Sequence, residues 1–190
     1  DQQWFEALRR DIASSNLMNR YFMMRLIDVG RTTPDDLWKV VSLLWEGEVD
    51  ARRIDDFAAA LRPHNREQFS VGGITGFASL LLMGRDPLRF PPYRAQAAKK
   101  FLKLVGWDDK GANGEPARRY ELLLEALDEI IRLAPEHGIA LRDRLDAQGL
   151  MWTVMNVDPT DEWSPEDRAA FRAWKGDKVN AAPLDTVQAE

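Results

Sequence analysis

The sequence contains no cysteine. Disulfides and thiolate metal sites are therefore excluded, and the chain suits a reducing, cytoplasmic setting. Histidine is almost as scarce. The two that occur, His64 and His137, stand beside a proline and a glycine and read as surface loop residues. A zinc site needs three or four donors, so no resident metal is expected. No long uncharged apolar run is present, so no membrane span is expected, and neither is a secretory leader. The first residue is Asp1 rather than Met, which suggests a processed or excised piece.

The motifs of catalysis are missing as well. There is no GxxxxGK[ST] phosphate loop and no Asp…Glu-x-Lys order of a metal-dependent nuclease. Ser14, Ser15, Ser70 and Ser79 have no histidine base in any recognisable pattern. No catalytic residue and no cofactor are expected, and the chain does not read as an enzyme.

What is present is an ordinary globular composition, with 45% apolar and 30% charged residues in 190. That length buries a real core without staples. Leu, Ala, Arg, Asp and Glu dominate, whereas Thr and Ile are few, which favours helix over sheet. The net charge of -5 keeps the chain soluble and argues against a wholly basic nucleic-acid binder.

Periodicity predicts eight or nine helices in an all-α, irregular bundle. Trp4, Phe5, Leu8 and Ile12 form a first stripe. Asn16 caps a second helix that carries Leu17, Tyr21, Met24 and Ile27 and is closed by Gly30. Thr33 precedes Pro34, Asp35 and Asp36, an N-cap followed by a first-turn proline and two carboxylates set against the helix dipole. A fourth helix presents Ile54, Phe57, Ala58 and Leu61 and stops at Pro63. Pro116 opens a long helix with Tyr120, Leu123, Leu127 and Ile130 at helical spacing. Another helix runs from about Leu141 to Val157, and a last one begins at the capping box of Ser164 to Asp167 and buries Phe171 and Trp174. One helical domain over 1–175 is expected, with a subdivision near 64–70 as an option and a flexible linker or tail over 176–190. Trp4, Trp38, Trp45, Trp152 and Trp174 fall near apolar stripes and read as core, while Trp107 and Trp163 sit in loop-like contexts.

The chain is organised around residues 69–107. Gly72, Gly73 and Gly76 give a tight backbone path into an apolar helix that ends near Gly84. Phe90-Pro91-Pro92-Tyr93 cannot be regular helix, because each proline pushes its predecessor toward extended angles. This is also the one strongly cationic window, with Arg85, Arg89, Arg94, Lys99, Lys100 and Lys103 against Asp86 alone. Lys99 and Lys103 are four apart and share a helix face, and Lys100 lies beside them. Such a face suits phosphates, and Tyr93, in the proline turn, is a candidate either to stack on a base or to pack against Pro91. It suits equally a solvated side that pairs with acidic residues.

Two longer segments and one short ending resemble a known family. GFASLLLMGRDPLRFPPYRAQAAKKFLKLVGW resembles the helical segment before the motor of bacterial McrB-like AAA+ restriction NTPases. LRDRLDAQGLMWTVMN, residues 141–156, is similar to the helix that follows it there, and WSPEDRAAFRAW to the connector before the motor. The resemblance implies the upstream part of an antiviral defence protein that cleaves foreign or modified DNA. In that family the motor hydrolyses nucleotide and a separate partner supplies the nuclease. A non-catalytic DNA-recognition or sensing domain is therefore expected, contacting DNA through Arg85, Arg89, Tyr93, Arg94, Lys99, Lys100 and Lys103. The alternative is a regulatory helical domain that docks a protein partner, such as a nuclease subunit or its own motor.

Overall fold

The computed structural model describes residues 3–14, 18, 20–64, 69–107, 112 and 114–179. Among them it is all helical. Nine α-helices follow one another: α1 Gln3–Ser14, α2 Arg20–Thr32, α3 Pro34–Trp45, α4 Arg53–Leu61, α5 Val71–Met83, α6 Ala95–Leu104, α7 Pro116–Leu133, α8 Arg144–Asn156 and α9 Pro165–Val179. Short 3-10 turns follow α4 and α7. The expected all-α bundle of eight or nine helices is the observed architecture. Among the described residues no helix is long and apolar enough to cross a membrane.

Helix α5 is the hub because its sequence, VGGITGFASLLLM, contains no charge. A helix that is apolar all round must be buried on every side. It packs against α3, α4, α6 and α7, with α2 stacked on α3 and α8 on α6 and α7. Helix α9 lies against α6. One core cluster runs from Phe5 to Met151 and includes residues on both sides of 64–70. Residues 65–68 lie outside the described residues. Aromatic rings tie the centre together. Phe22 meets Phe69 at 4.9 Å between centroids, and Phe57 meets Phe77 at 5.8 Å.

The double-proline corner is buried: Phe90 is 3% exposed and Tyr93 6%. Its backbone cannot join a helical ladder, so its polar groups need side-chain partners. Four are supplied from three helices. The Tyr120 hydroxyl of α7 donates to the Pro91 carbonyl at 2.7 Å. Gln148 Nε2 of α8 donates to the Pro92 carbonyl at 2.7 Å. The Tyr93 N–H donates to Ser79 Oγ of α5 at 2.8 Å. Arg144 Nη1 of α8 donates to the Arg89 carbonyl at 2.8 Å. Burial pushes the Tyr120 phenol far above its ordinary range, so it stays a neutral donor.

Other joints follow the same logic. Glu115 gives α7 no side-chain cap, and the Ala117 N–H instead donates to Asp55 Oδ1 of α4 at 3.0 Å. The Thr75 hydroxyl bridges the Val71 and Pro116 carbonyls at 2.9 and 3.3 Å. Trp45 Nε1 donates to the Leu81 carbonyl at 2.7 Å, satisfying an acceptor in the last turn of α5.

Several local expectations are corrected. Gly30 does not close α2, which runs on to Thr32; the glycine is needed because a Cβ there would lie 2.3 Å from the Phe5 ring. Thr33 precedes α3 but makes no cap, its hydroxyl donating back to the Val29 carbonyl. Helix α8 starts at Arg144 rather than near Leu141, because Asp143 accepts from the Leu145 and Asp146 N–H groups. The tail expected from 176 is helical to Val179; residues 180–190 lie outside the described residues. Asn16 and Leu17 lie outside them too. Ser164 does cap α9, accepting from the Asp167 N–H at 3.0 Å. Trp174 is 41% exposed rather than buried, and Phe171 is half-buried.

Two pairs of substitutions test this packing. Tyr120→Phe and Ser79→Ala each strip a buried partner from the corner and are expected to cost about 1–3 kcal/mol in chemical denaturation. Gly73→Ala drives a methyl to 2.4 Å from the Phe22 ring and is expected to cost about 1–3 kcal/mol. Gly149→Ala, in open space on α8, is expected to stabilise by about 0.5–1 kcal/mol. Equal effects at the two glycines would contradict the close approach at Gly73.

Candidate nucleic-acid interface

A cleft of about 590 Å³ opens between α2, the first turn of α5, the start of α6 and α8. Its floor is the glycine run. The structure places Gly72, Gly73 and Gly76 inside α5 rather than in a loop leading to it. Ser70 caps the helix by accepting from the Gly73 N–H at 3.1 Å. The missing side chains let neighbours approach: a Cβ at Gly72 would lie 2.9 Å from that of Ala95, and one at Gly76 3.2 Å from the Tyr93 carbonyl. The start of α6 is thus pressed onto the start of α5.

That close approach sets one wall, with Arg94 and Lys100 along it. The second wall is α8. Arg144 holds α8 on α7 through a bidentate pair with Asp128, at 2.7 and 2.6 Å. Gln148 holds it on the proline corner. One and two turns beyond Gln148, Trp152 and Asn156 project from the same side into the cleft. The third wall is α2, with Tyr21 and Arg25 one turn apart. Tyr21 is 74% exposed and Trp152 47%. Among the described residues the lining contains Arg25, Arg94 and Lys100 but no carboxylate. In a chain with 31 acidic and 26 basic residues, that is a marked local segregation of charge.

The cationic window divides into three places. Arg94 and Lys100 line the cleft. Lys99 and Lys103 are exposed on the outer face of α6, next to Lys100. Arg85 and Arg89 lie beyond the other end of α5 and outside the cleft. Of these six, Arg89 alone has a carboxylate partner among the described residues, Asp86 at 4.0 Å, and its guanidinium lies 5.0 Å from the Phe90 ring centroid.

Tyr93 is corrected. Its ring is buried and meets Tyr120 edge-on at 6.2 Å, so it is a core residue and offers no exposed face for a base. The exposed rings are Tyr21 and Trp152, both assigned to buried stripes by periodicity. Helix α2 reads YFMMRLI, apolar at nearly every position, so its phase is not set by the pattern. Packing buries Phe22, Met23 and Leu26 and turns Tyr21 and Met24 outward. Trp38 is also 43% exposed, and Trp4 and Trp45 are half-buried.

A second, apolar hollow of about 330 Å³ adjoins the first. It lies between Pro92, Leu123, Leu145 and Met151, and it shares Arg94, Ala97 and Trp152 with the larger cleft. No group of metal-binding side chains occurs among the described residues. No protein-family model, curated protein or solved structure matches the chain.

The start of α8 has a pH signature. The Asp146 carboxylate accepts from Arg142 Nε, Nη2 and the backbone N–H, at 2.9, 3.1 and 3.0 Å. The Arg142 side chain, and then its backbone N–H, lower the Asp146 pKa from 3.8 to about 2. A lowered carboxylate pKa contributes stability above the unfolded value, and that stability is lost as pH falls through the folded one. NMR is expected to show Asp146 titrating near pH 2. Asp146→Asn is expected to flatten the fall in stability between the two values, and a titration at the ordinary value would remove the pairing.

Proposed function

We propose that the chain is a non-catalytic DNA-recognition domain, and that it is the upstream part of a bacterial McrB-like restriction system working in the cytoplasm. The observation that carries this is the cleft that holds cations and exposed aromatic rings but, among the described residues, no carboxylate, set in an acidic chain. Phosphates are drawn to such a spot and repelled by the acidic remainder, so the overall charge focuses DNA on one face. Lys99 and Lys103 extend the positive surface from Lys100 along α6. The two sequence segments that resemble the McrB-like pattern also meet here: one supplies Arg94 and Lys100, the other Trp152 and Asn156. Arg85 and Arg89 serve as peripheral phosphate partners in this arrangement.

Docking of a protein partner, such as a nuclease subunit or the motor, is favoured by a different observation. Trp152, Val157, Trp163 and Trp174 are large apolar side chains left 41–51% exposed on α8, α9 and their connection. Surface of that kind supports partner binding.

Fluorescence anisotropy with labelled oligonucleotides separates the two. Arg94→Glu and Lys100→Glu are each expected to weaken DNA binding at least tenfold. Removing one phosphate-binding cation is expected to lower the salt slope by about one. Lys39→Glu, outside the cleft, is expected to change little. Failure to bind duplex or single strands at low salt, with or without cytosine methylation, would overturn the DNA assignment.

A further inference from the structure

We infer that the cleft takes single-stranded DNA, with the strand crossing the rim formed by Arg94 and Trp152 and one base seated on either side of it. This rests on the DNA-recognition reading above and goes further by naming the form of the nucleic acid.

The site is concave, and its exposed rings belong to the walls. Tyr21 stands on one side and Trp152 on the other, with cations between and beside them. A ring in a cleft wall can stack only on a base whose face is free. Duplex DNA keeps its base faces stacked inside and offers phosphates and groove edges instead. Duplex readers push a helix or ribbon outward into a groove. Here the cationic helix α6 is embedded on one side by Ala98, Phe101, Leu102 and Leu104, and its start forms a wall of the hollow.

The second hollow fixes the path. It is separated from the first by Arg94, Ala97 and Trp152, which belong to both. The larger hollow mixes polar and apolar surface, with Gln96 and Asn156 able to bond base edges. The smaller is lined by aliphatic and proline surface that suits a base face. Trp152 is the partition that two successive bases stack against. Arg94 has no carboxylate partner among the described residues, so its guanidinium is available to the phosphate that joins them. Lys100, Lys99 and Lys103 then lead the backbone outward along α6.

The test uses the full chain, labelled oligonucleotides of one sequence as single strand, duplex and RNA, and unlabelled thymidine mono- and dinucleotide as competitors. Single-stranded DNA is expected to bind at least tenfold more tightly than duplex. The dinucleotide is expected to compete at least tenfold better than the mononucleotide. Trp152→Ala, checked for folding by circular dichroism, is expected to weaken single-strand binding at least tenfold. Trp152→Phe, which keeps a ring, is expected to restore most of the affinity. Equal or tighter duplex binding, an unchanged Trp152→Ala variant, no gain from the second nucleotide, or tighter binding of RNA would each overturn the inference. Absence of binding to every nucleic acid would instead remove the DNA reading beneath it, so the two failures are distinguishable.

Discussion

A buried turn that cannot hydrogen-bond to itself governs this molecule. Pro91 and Pro92 remove two donors and hold the backbone extended, yet the segment lies in the core. Each acceptor or donor left without a partner there would cost about 1–3 kcal/mol. Tyr120, Gln148, Ser79 and Arg144 meet that demand, and in doing so they fix where α5, α7 and α8 stand relative to the turn. No buried side-chain polar atom among the described residues is left unpaired.

The cleft is a consequence of that anchoring. Gln148 and Trp152 are one turn apart on α8, so the bond that holds Gln148 on Pro92 also aims the indole. Tyr93 leads directly into α6, so the corner's attachment to Ser79 sets the start of the cationic helix. The glycines at the start of α5 bring the two helices close enough to form a floor. Structural and cleft-lining residues alternate along the same short segments.

Charge is arranged with equal economy. Most acidic side chains that pair do so with local arginines at the surface, as Glu129 with Arg132 and Glu125 with Arg118. Exposed pairs of this kind contribute little to stability. Their effect here is on distribution: cations such as Arg118, Arg132 and Arg144 are matched, while Arg94, Lys99, Lys100 and Lys103 have no carboxylate partner among the described residues.

Much of the architecture could be read from the chain alone. Apolar spacing and the punctuation by Pro34, Pro63 and Pro116 predicted helices, and the FPPY run marked its own irregularity, because these depend on backbone chemistry within a few residues. What periodicity left open was which side of each helix faces inward. Tyr21, Trp152 and Trp38 lie on segments with more apolar residues than one buried stripe can hold, and only the neighbouring helices choose among them. Tyr93 went the other way, drawn inside by Tyr120 and Ser79, which are distant in sequence. A cationic cluster is visible as composition, but its division between a cleft, an outer face and a remote loop depends on how α6 meets α5 and α8. Local backbone preference is written residue by residue, whereas the facing of a side chain is decided by packing between segments that the linear order does not bring together.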